Sequence, residues 1–469
     1  MQALRCCRCA TEFQSAPFGA SYVATVWIDN VEFKTGLSPA AVSDAKAKLT
    51  LARAATKEYT FKLRMSIKVD PAAAAEARDI LIYGYDARLV SAFAANKKLK
   101  PLQRQTLESC LSVPSLLEFS APLSEQVRVH PKAKKSGGVR PIHNFGLLHR
   151  TSQHMVDRIM SAYYKPRWFQ YTQRGTHAAA KEVKAYLGAG QVHLARLDIA
   201  DFYPSFELEK LVTELPLPKE VVENVVVGRH MKVVLDQEFM KGGLSVPSLP
   251  HTLDDLLHTA RLGVPQGSAC SPIVSSYCVS RLIWAMWFST MSLEPLVNYA
   301  DDFLLPSSSQ KLLEEKIGAL TKAVAFLPGG HFELKPEVKG DAANGFDFLG
   351  HHFQIADGKL TTSPTEANRQ ALWAKLVRLD AKFDKLVGPL GVVKEASKQE
   401  ALKVLAQITA IGNGWLSAFR ECDDLNSEIQ MLSQMLEDAC GKLGVTLAEV
   451  EKVIEPYMDY EPGNYALSH

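Results

Sequence analysis

Long apolar runs are missing from this 469-residue chain. None reaches the roughly 20 residues that a membrane-crossing helix requires, so no membrane partner is expected. Cysteine is scarce: eight in this length do not make a disulfide framework. Cys6, Cys7 and Cys9 cluster, but without the second pair that a zinc site would need. Residues 1–20 carry cysteines and charges in place of a signal-peptide core, so a cytoplasmic location with reduced thiols is expected. Repeats and low-complexity tracts are absent as well. Nor is there a large excess of either charge: the formal net charge is only +2. Its distribution is uneven, however. Between Lys97 and Lys184 there are about sixteen Lys or Arg against about five acids, a field suited to phosphates. From Glu421 onward acids dominate, so that end should avoid nucleic acid and either solvate the surface or meet a basic one. Contact between the two regions on different copies would make a homo-oligomer.

Against this background three segments stand out. Asn298-Tyr299-Ala300-Asp301-Asp302-Phe303 places two adjacent carboxylates between apolar runs, which reads as two buried strands joined by an acidic turn. Neighbouring acids repel, and a cation is the usual reason to hold them together. Upstream, Asp198 ends the apolar run Ala195-Arg196-Leu197 and leads into Ile199-Ala200-Asp201-Phe202-Tyr203. Between them, Gly263-Val264-Pro265-Gln266-Gly267-Ser268 forms a glycine-flanked loop that opens into an apolar helical run. A fourth segment, Val129 to Ile142, reads as a basic hairpin around Gly137-Gly138, with Lys132 and Arg140 on its two arms.

In this order, the segments resemble the palm and fingers motifs of bacterial reverse transcriptases, whose signature box is Tyr-Ala-Asp-Asp. The resemblance covers residues 126–353, and the remainder matches only by pattern. It implies an α+β right-hand polymerase with fingers, a ferredoxin-like antiparallel palm and an all-helical thumb. It also implies RNA-directed DNA synthesis by nucleotidyl transfer with two Mg2+ ions, Mn2+ being a possible substitute. Two such ions can activate a primer hydroxyl and neutralise the pyrophosphate leaving group. On this resemblance Asp198, Asp301 and Asp302 are catalytic and hold the metal, with the carbonyl of Ile199 as a further ligand. Lys132, Arg140, Asp201, Phe202, Tyr203, Gln266 and Gly267 form the nucleotide site. There the Tyr203 ring would exclude a 2′-hydroxyl, and the Gln266-Gly267 backbone would floor the nascent pair. Lys339 is the expected general acid, and Phe348, Leu349 and Gly350 form the primer grip. Phe169 to His177 resembles a further fingers motif more loosely. His351 and His352 are expected at the surface or against the primer backbone, not on a metal.

The expected organisation is an N-terminal extension (1–100), fingers (101–189), a palm (190–357) with an insertion at 207–262, and a helical thumb with an acidic C-terminal region (358–469). In the extension, Ser38-Pro39 and Asp70-Pro71 each place a capping residue before a helix-opening proline. Ser21 to Phe33 reads as strand. Thr365–Leu386, Glu395–Phe419 and Asp423–Leu443 read as helices, with Trp415 and Phe419 in their core. The expected partners are a structured non-coding RNA template, a DNA or RNA primer, and dNTPs.

Retron-type Asn-Ala-x-x-His and Val-Thr-Gly elements are not found, nor is a Cys/His array of the intron-encoded kind. The profile therefore looks like the stand-alone, defence-associated reverse transcriptases that act against phage. The alternatives are a diversity-generating retroelement enzyme, a template-independent or protein-primed DNA polymerase, an RNA-dependent RNA polymerase, and a non-catalytic RNA-binding scaffold.

Overall fold

The computed structural model describes residues 24–99, 103–133, 139–236, 253–290, 295–387, 395–446 and 450. The Cys6–Cys9 cluster, the Gly137-Gly138 turn, the Gly242-Gly243 loop and the last part of the acidic end (447–449 and 451–469) lie outside them.

The chain opens with a hairpin, β1 (Ala24–Ile28) and β2 (Val31–Thr35). Asp29 and Asn30 both take positive φ between them, as a two-residue turn matched to strand twist requires. Helix Pro39–Ser66 begins where Ser38 Oγ accepts from the Ala41 amide at 3.3 Å. Helix Pro71–Tyr83 begins on the Asp70 carboxylate, which accepts from Ala73 at 2.9 Å. Both starts are those read from the sequence. Helices Tyr85–Lys97, Leu107–Leu116 and Leu147–Tyr163 complete this layer. One apolar core runs from Ile28 through these helices to the palm residues Leu197, Ile199 and Phe332, so the expected extension is packed continuously with the fingers and palm.

The basic arms are β3 (Val127–Ala133) and β4 (Val139–Asn144), paired antiparallel with Lys132 opposite Arg140. The central sheet is fully antiparallel. It begins with β5 (His193–Ile199). Within the segment that separates β5 from the next sheet strand, β6 (Val233–Leu235) adds to β3 in parallel. Then come β7 (Val297–Tyr299), β8 (Asp302–Ser307) and β9 (Leu334–Asp341), giving the order β7-β8-β5-β9.

Alternation along β5 sorts its side chains. Ala195, Leu197 and Ile199 join Phe303 and Leu305 in the main core, which includes helix Ser271–Thr290 and helix Gln310–Ala325. Leu194 and Leu304 face the other way, packing with Val183 and Leu187 of helix Thr176–Gly188. The same cluster takes in a second sheet: β10 (Phe346–Phe348), β11 (His351–Ala356) and β12 (Lys359–Pro364).

Helices Glu366–Val387, Glu395–Ala418 and Asn426–Leu443 close the chain around their own core, with Trp415 and Phe419 inside it as expected. Lys184 ties this bundle to helix Thr176–Gly188 through the Glu421 carbonyl (2.9 Å) and the Asp423 carboxylate (2.8 Å). The whole is the mixed α/β architecture anticipated from the sequence, with an antiparallel central sheet and a helical C-terminal bundle.

Candidate active site

Pairing of β5 with β8 sets Asp198 directly opposite Asp302. The turn Ala300-Asp301 joins β7 to β8, and the Asp301 carbonyl accepts from the Ile199 amide at 3.2 Å. All three carboxylates therefore gather at one end of two neighbouring strands, half-buried. Ala300 takes φ +55, unusual for a residue with a Cβ. Two side chains hold it there. Asn298, 1% exposed, donates from Nδ2 to the carbonyls of Ala300 (2.9 Å) and Asp302 (3.2 Å). Thr172 Oγ1 accepts from the Ala300 amide at 2.9 Å. Thr172 belongs to the segment from Phe169, which runs parallel beside β7: Asn298 donates to the Phe169 carbonyl (2.8 Å) and Tyr171 to the Asn298 carbonyl (2.9 Å).

The three acids are not equivalent. Arg196 lies two residues before Asp198 and so on the same side of β5. Its Nε and Nη2 donate to one oxygen of Asp302 at 3.2 and 3.0 Å. Asp302 is thus held by a guanidinium. Among the described residues no group of three or more His, Cys, Asp or Glu forms a metal cage. Asp198 and Asp301 place two further hard oxygen donors at the strand ends. Carboxylates placed in this way suit Mg2+, which keeps water and substrate phosphate in its shell.

Tyr203 stands near this pair. Burial first, and then the charge of Asp301, push its phenol pKa up, so it stays protonated. Its carbonyl accepts from the Val264 amide at 3.0 Å, which joins the segment after Asp198 to the glycine loop. Gly263 is obligatory at that junction: it has φ +55, and a Cβ there would lie 2.0 Å from the Tyr203 carbonyl oxygen. At the other end of the loop Gly267 has φ +100, and a Cβ would stand 2.7 Å from the His143 carbonyl. His143 on β4 brackets the loop: Nδ1 is 2.9 Å from the Gln266 carbonyl and Nε2 is 2.9 Å from that of Ala260. Burial outweighs these carbonyls and lowers its pKa. The fingers hairpin and the loop beneath the expected base pair are therefore joined at His143, whose backbone amide also donates to the Gln266 carbonyl at 3.0 Å.

On that hairpin Lys132 and Arg140 share a face, both half-buried. Burial first, and the neighbouring Arg140 second, lower the Lys132 pKa. Arg140 Nε is buried with no hydrogen-bond partner among the described residues. A buried donor without an acceptor is costly and fits an anion.

Other expectations meet different surroundings. Phe202 is 3% exposed and packs against Phe206 and Phe332, so it supports the site from the core and does not line it. Asp201 is exposed in the turn after β5, with φ +43. Lys339 lies opposite Ala195 and pairs with Glu314 at 3.2 Å. The bulge between Arg196 and Leu197 brings exposed Lys335, not Lys339, opposite Asp198. Phe348-Leu349-Gly350 makes the β10–β11 turn, with Leu349 at φ +49 and Gly350 at φ +82. It docks on the thumb, since the Gly350 carbonyl accepts from Thr365 (2.9 Å) and Asn368 (3.2 Å). His351, expected at the surface, is fully buried, because alternation along β11 turns it inward onto Phe419. His352 is half-buried and pairs with Asp347 at 2.7 Å.

Arg196, Thr172, Asn298 and His143 thus hold the site together without having been assigned a role from sequence. Arg196 had a legible signal: a cation two residues from Asp198 in an otherwise apolar strand must share its side and find a carboxylate. Thr172 and His143 act across long separations and gave none.

No family model and no curated sequence matches the chain. Among solved structures, it is similar to telomerase from Candida albicans in complex with a TWJ fragment of telomeric RNA, at 12% identity and TM-score 0.29, over 74% of this chain and 67% of that one. It is similar to the Sicinivirus 3Dpol RNA-dependent RNA polymerase at 11% identity and TM-score 0.35, over 72% and 67%. It is also similar to apo telomerase from Candida tropicalis at 12% identity and TM-score 0.32, over 74% and 67%. Likeness of this extent assigns no activity.

Proposed function

We propose that the chain is a template-directed nucleic-acid polymerase, and specifically an RNA-directed DNA polymerase. The observation that carries this reading is the convergence of Asp198 and Asp301 at adjacent strand ends, beside protonated Tyr203, on a turn pinned by Asn298 and Thr172. Asp198 and Asp301 would hold divalent ions, which when bound supply Lewis-acid activation of the primer hydroxyl and charge neutralisation of the leaving pyrophosphate. Arg196 keeps Asp302 oriented and offsets one of three neighbouring negative charges. The Tyr203 ring sits under the incoming sugar and disfavours a 2′-hydroxyl. Gln266 and Gly267, fixed through His143, floor the nascent pair. Lys132 and Arg140 take the triphosphate, Arg140 through the donor that lacks an acceptor among the described residues.

The template is a structured RNA, and the biological setting is anti-phage defence, by resemblance to the stand-alone defence-associated reverse transcriptases; the cell compartment is the cytoplasm. In this reading the fingers span 101–189, the palm 190–357 and the thumb region 358–469, with the N-terminal residues packed against the fingers.

The test is primer extension with purified protein on RNA and DNA templates, supplied with dNTPs or with rNTPs. Asp301→Ala should abolish extension while leaving the melting temperature unchanged or raised, because it removes one charge from a repelling cluster. Extension by Asp301→Ala at the wild-type rate would sink the assignment. Incorporation of rNTPs in preference to dNTPs would move it to an RNA polymerase.

A further inference from the structure

Helix Pro39–Ser66 buries Val42, Leu49, Ala52 and Leu63 on one side. Its cations are not scattered over the rest. Lys46, Arg53, Lys57, Arg64 and, in the turn just beyond, Lys68 are spaced by 7, 4, 7 and 4 residues. At 3.6 residues per turn these fall within a narrow arc, forming a line of roughly 30 Å along one flank. The helix's two acids, Asp44 and Glu58, lie on the other flank. There Lys48 pairs with Asp44 at 2.8 Å, and Lys62 reaches Glu76 of the next helix at 3.2 Å. On the first flank Arg53 pairs with Asp29 in the β1–β2 turn. Lys46, Lys57, Arg64 and Lys68 are exposed and pair with no acid among the described residues. Beside them Phe61 is 64% and Met65 60% exposed. A cavity of about 450 Å³, lined by Lys97, Asn30 and Phe93, adjoins the line at Arg53.

We propose that this flank is a track for the phosphodiester backbone of a single-stranded stretch of the template RNA, with Phe61 offering a stacking face. Evenly spaced, exposed cations next to an exposed aromatic are the elements by which single strands are held without sequence preference. The helix's own acids are confined to the far flank, so apart from Asp29 at Arg53 the field is one-sided. This deepens the polymerase reading by naming where RNA is gripped outside the catalytic cleft, and it rests on that reading for the identity of the strand.

The experiment compares two charge reversals of equal size in the full chain. Lys57→Glu with Arg64→Glu reverses the track, and Lys48→Glu with Lys62→Glu reverses the far flank. The probes are a 20-nucleotide single-stranded RNA, the same DNA sequence and anionic lipid vesicles, titrated at several salt concentrations, with melting curves to verify folding. The track variant should bind RNA at least about tenfold more weakly, and the slope of log K against log salt should fall by about 1.4, or 0.7 for each phosphate no longer neutralised. The far-flank variant should bind nearly as wild type. Extension of a short pre-annealed primer–template should be unaffected in both.

Equal losses from the two variants, or no loss from either, would overturn the proposal. So would a track variant that loses only vesicle binding (a membrane surface) or only DNA binding. If wild type extends no primer yet the track variant alone loses RNA, the polymerase reading falls and the RNA track stands.

Discussion

Replacing Asn298 by alanine removes the two hydrogen bonds that pin the acidic turn, Nδ2 to the carbonyls of Ala300 at 2.9 Å and Asp302 at 3.2 Å. A neutral hydrogen bond contributes a net 0.5–1.5 kcal/mol or so, which gives about 1–3 kcal/mol for the pair. The turn is only part-buried, so water can reach the freed carbonyls, and the lower half of that range, about 1–2 kcal/mol, is expected. The turn would then relax, because Ala300 at φ +55 is held against its own preference. Asp301 rides on that turn, and a displacement of about 1 Å at a reacting centre costs on the order of a hundredfold in rate. The assays are urea unfolding for stability and single-turnover nucleotide addition for rate. Asn298→Asp sharpens the test. It keeps the shape but presents only acceptors to two carbonyls, beside Asp301 and Asp302, and should destabilise more than alanine does. If Asn298→Ala unfolds within about 0.5 kcal/mol of wild type, below the smallest expected bond pair, and adds nucleotides at the normal rate, the turn is not held as argued.

Two more outcomes are expected from the same geometry. Arg196→Ala and Asp302→Asn, alone and combined, should show a coupling energy near 1 kcal/mol in urea unfolding. The hydrogen bonds are charge-assisted, but both side chains are about a quarter exposed (28% and 23%), so solvent screens them; additive effects would mean that Arg196 does not hold Asp302. His351 is pushed to about 4 by burial, against roughly 6.5 for an ordinary imidazole. Between those values the unfolded chain binds more protons than the folded one. The stability contribution is therefore complete above about 6.5 and declines as pH falls toward 4. His149, also near 4 through burial, acts in the same direction. The stability of wild type relative to His351→Asn should shrink between pH 7 and pH 5; a constant difference would show that His351 is not buried neutral.

Elements with local causes were legible in the chain's residues. Ser38-Pro39 and Asp70-Pro71 start helices because a side-chain acceptor and a fixed φ suffice to open one. Asp301 sits in a two-residue turn because apolar strands flank it, and the thumb helices show in the spacing of Leu372, Leu376 and Phe383. Which acid meets the Arg196 guanidinium was set by long-range pairing instead. The register of β5 against β8 placed Arg196 within reach of Asp302, and no local pattern fixes register between strands a hundred residues apart. A bulge in the β5–β9 pairing, not readable from composition, shifted the register by one residue and set Lys335 opposite Asp198, while Lys339 lies opposite Ala195. Phe202 was drawn into the core by Phe206 and Phe332, and His351 by Phe419, since aromatic packing partners are chosen in space. Thr172 and His143 reach the site through hydrogen bonds to backbone, which any sequence can offer and only a fold can aim.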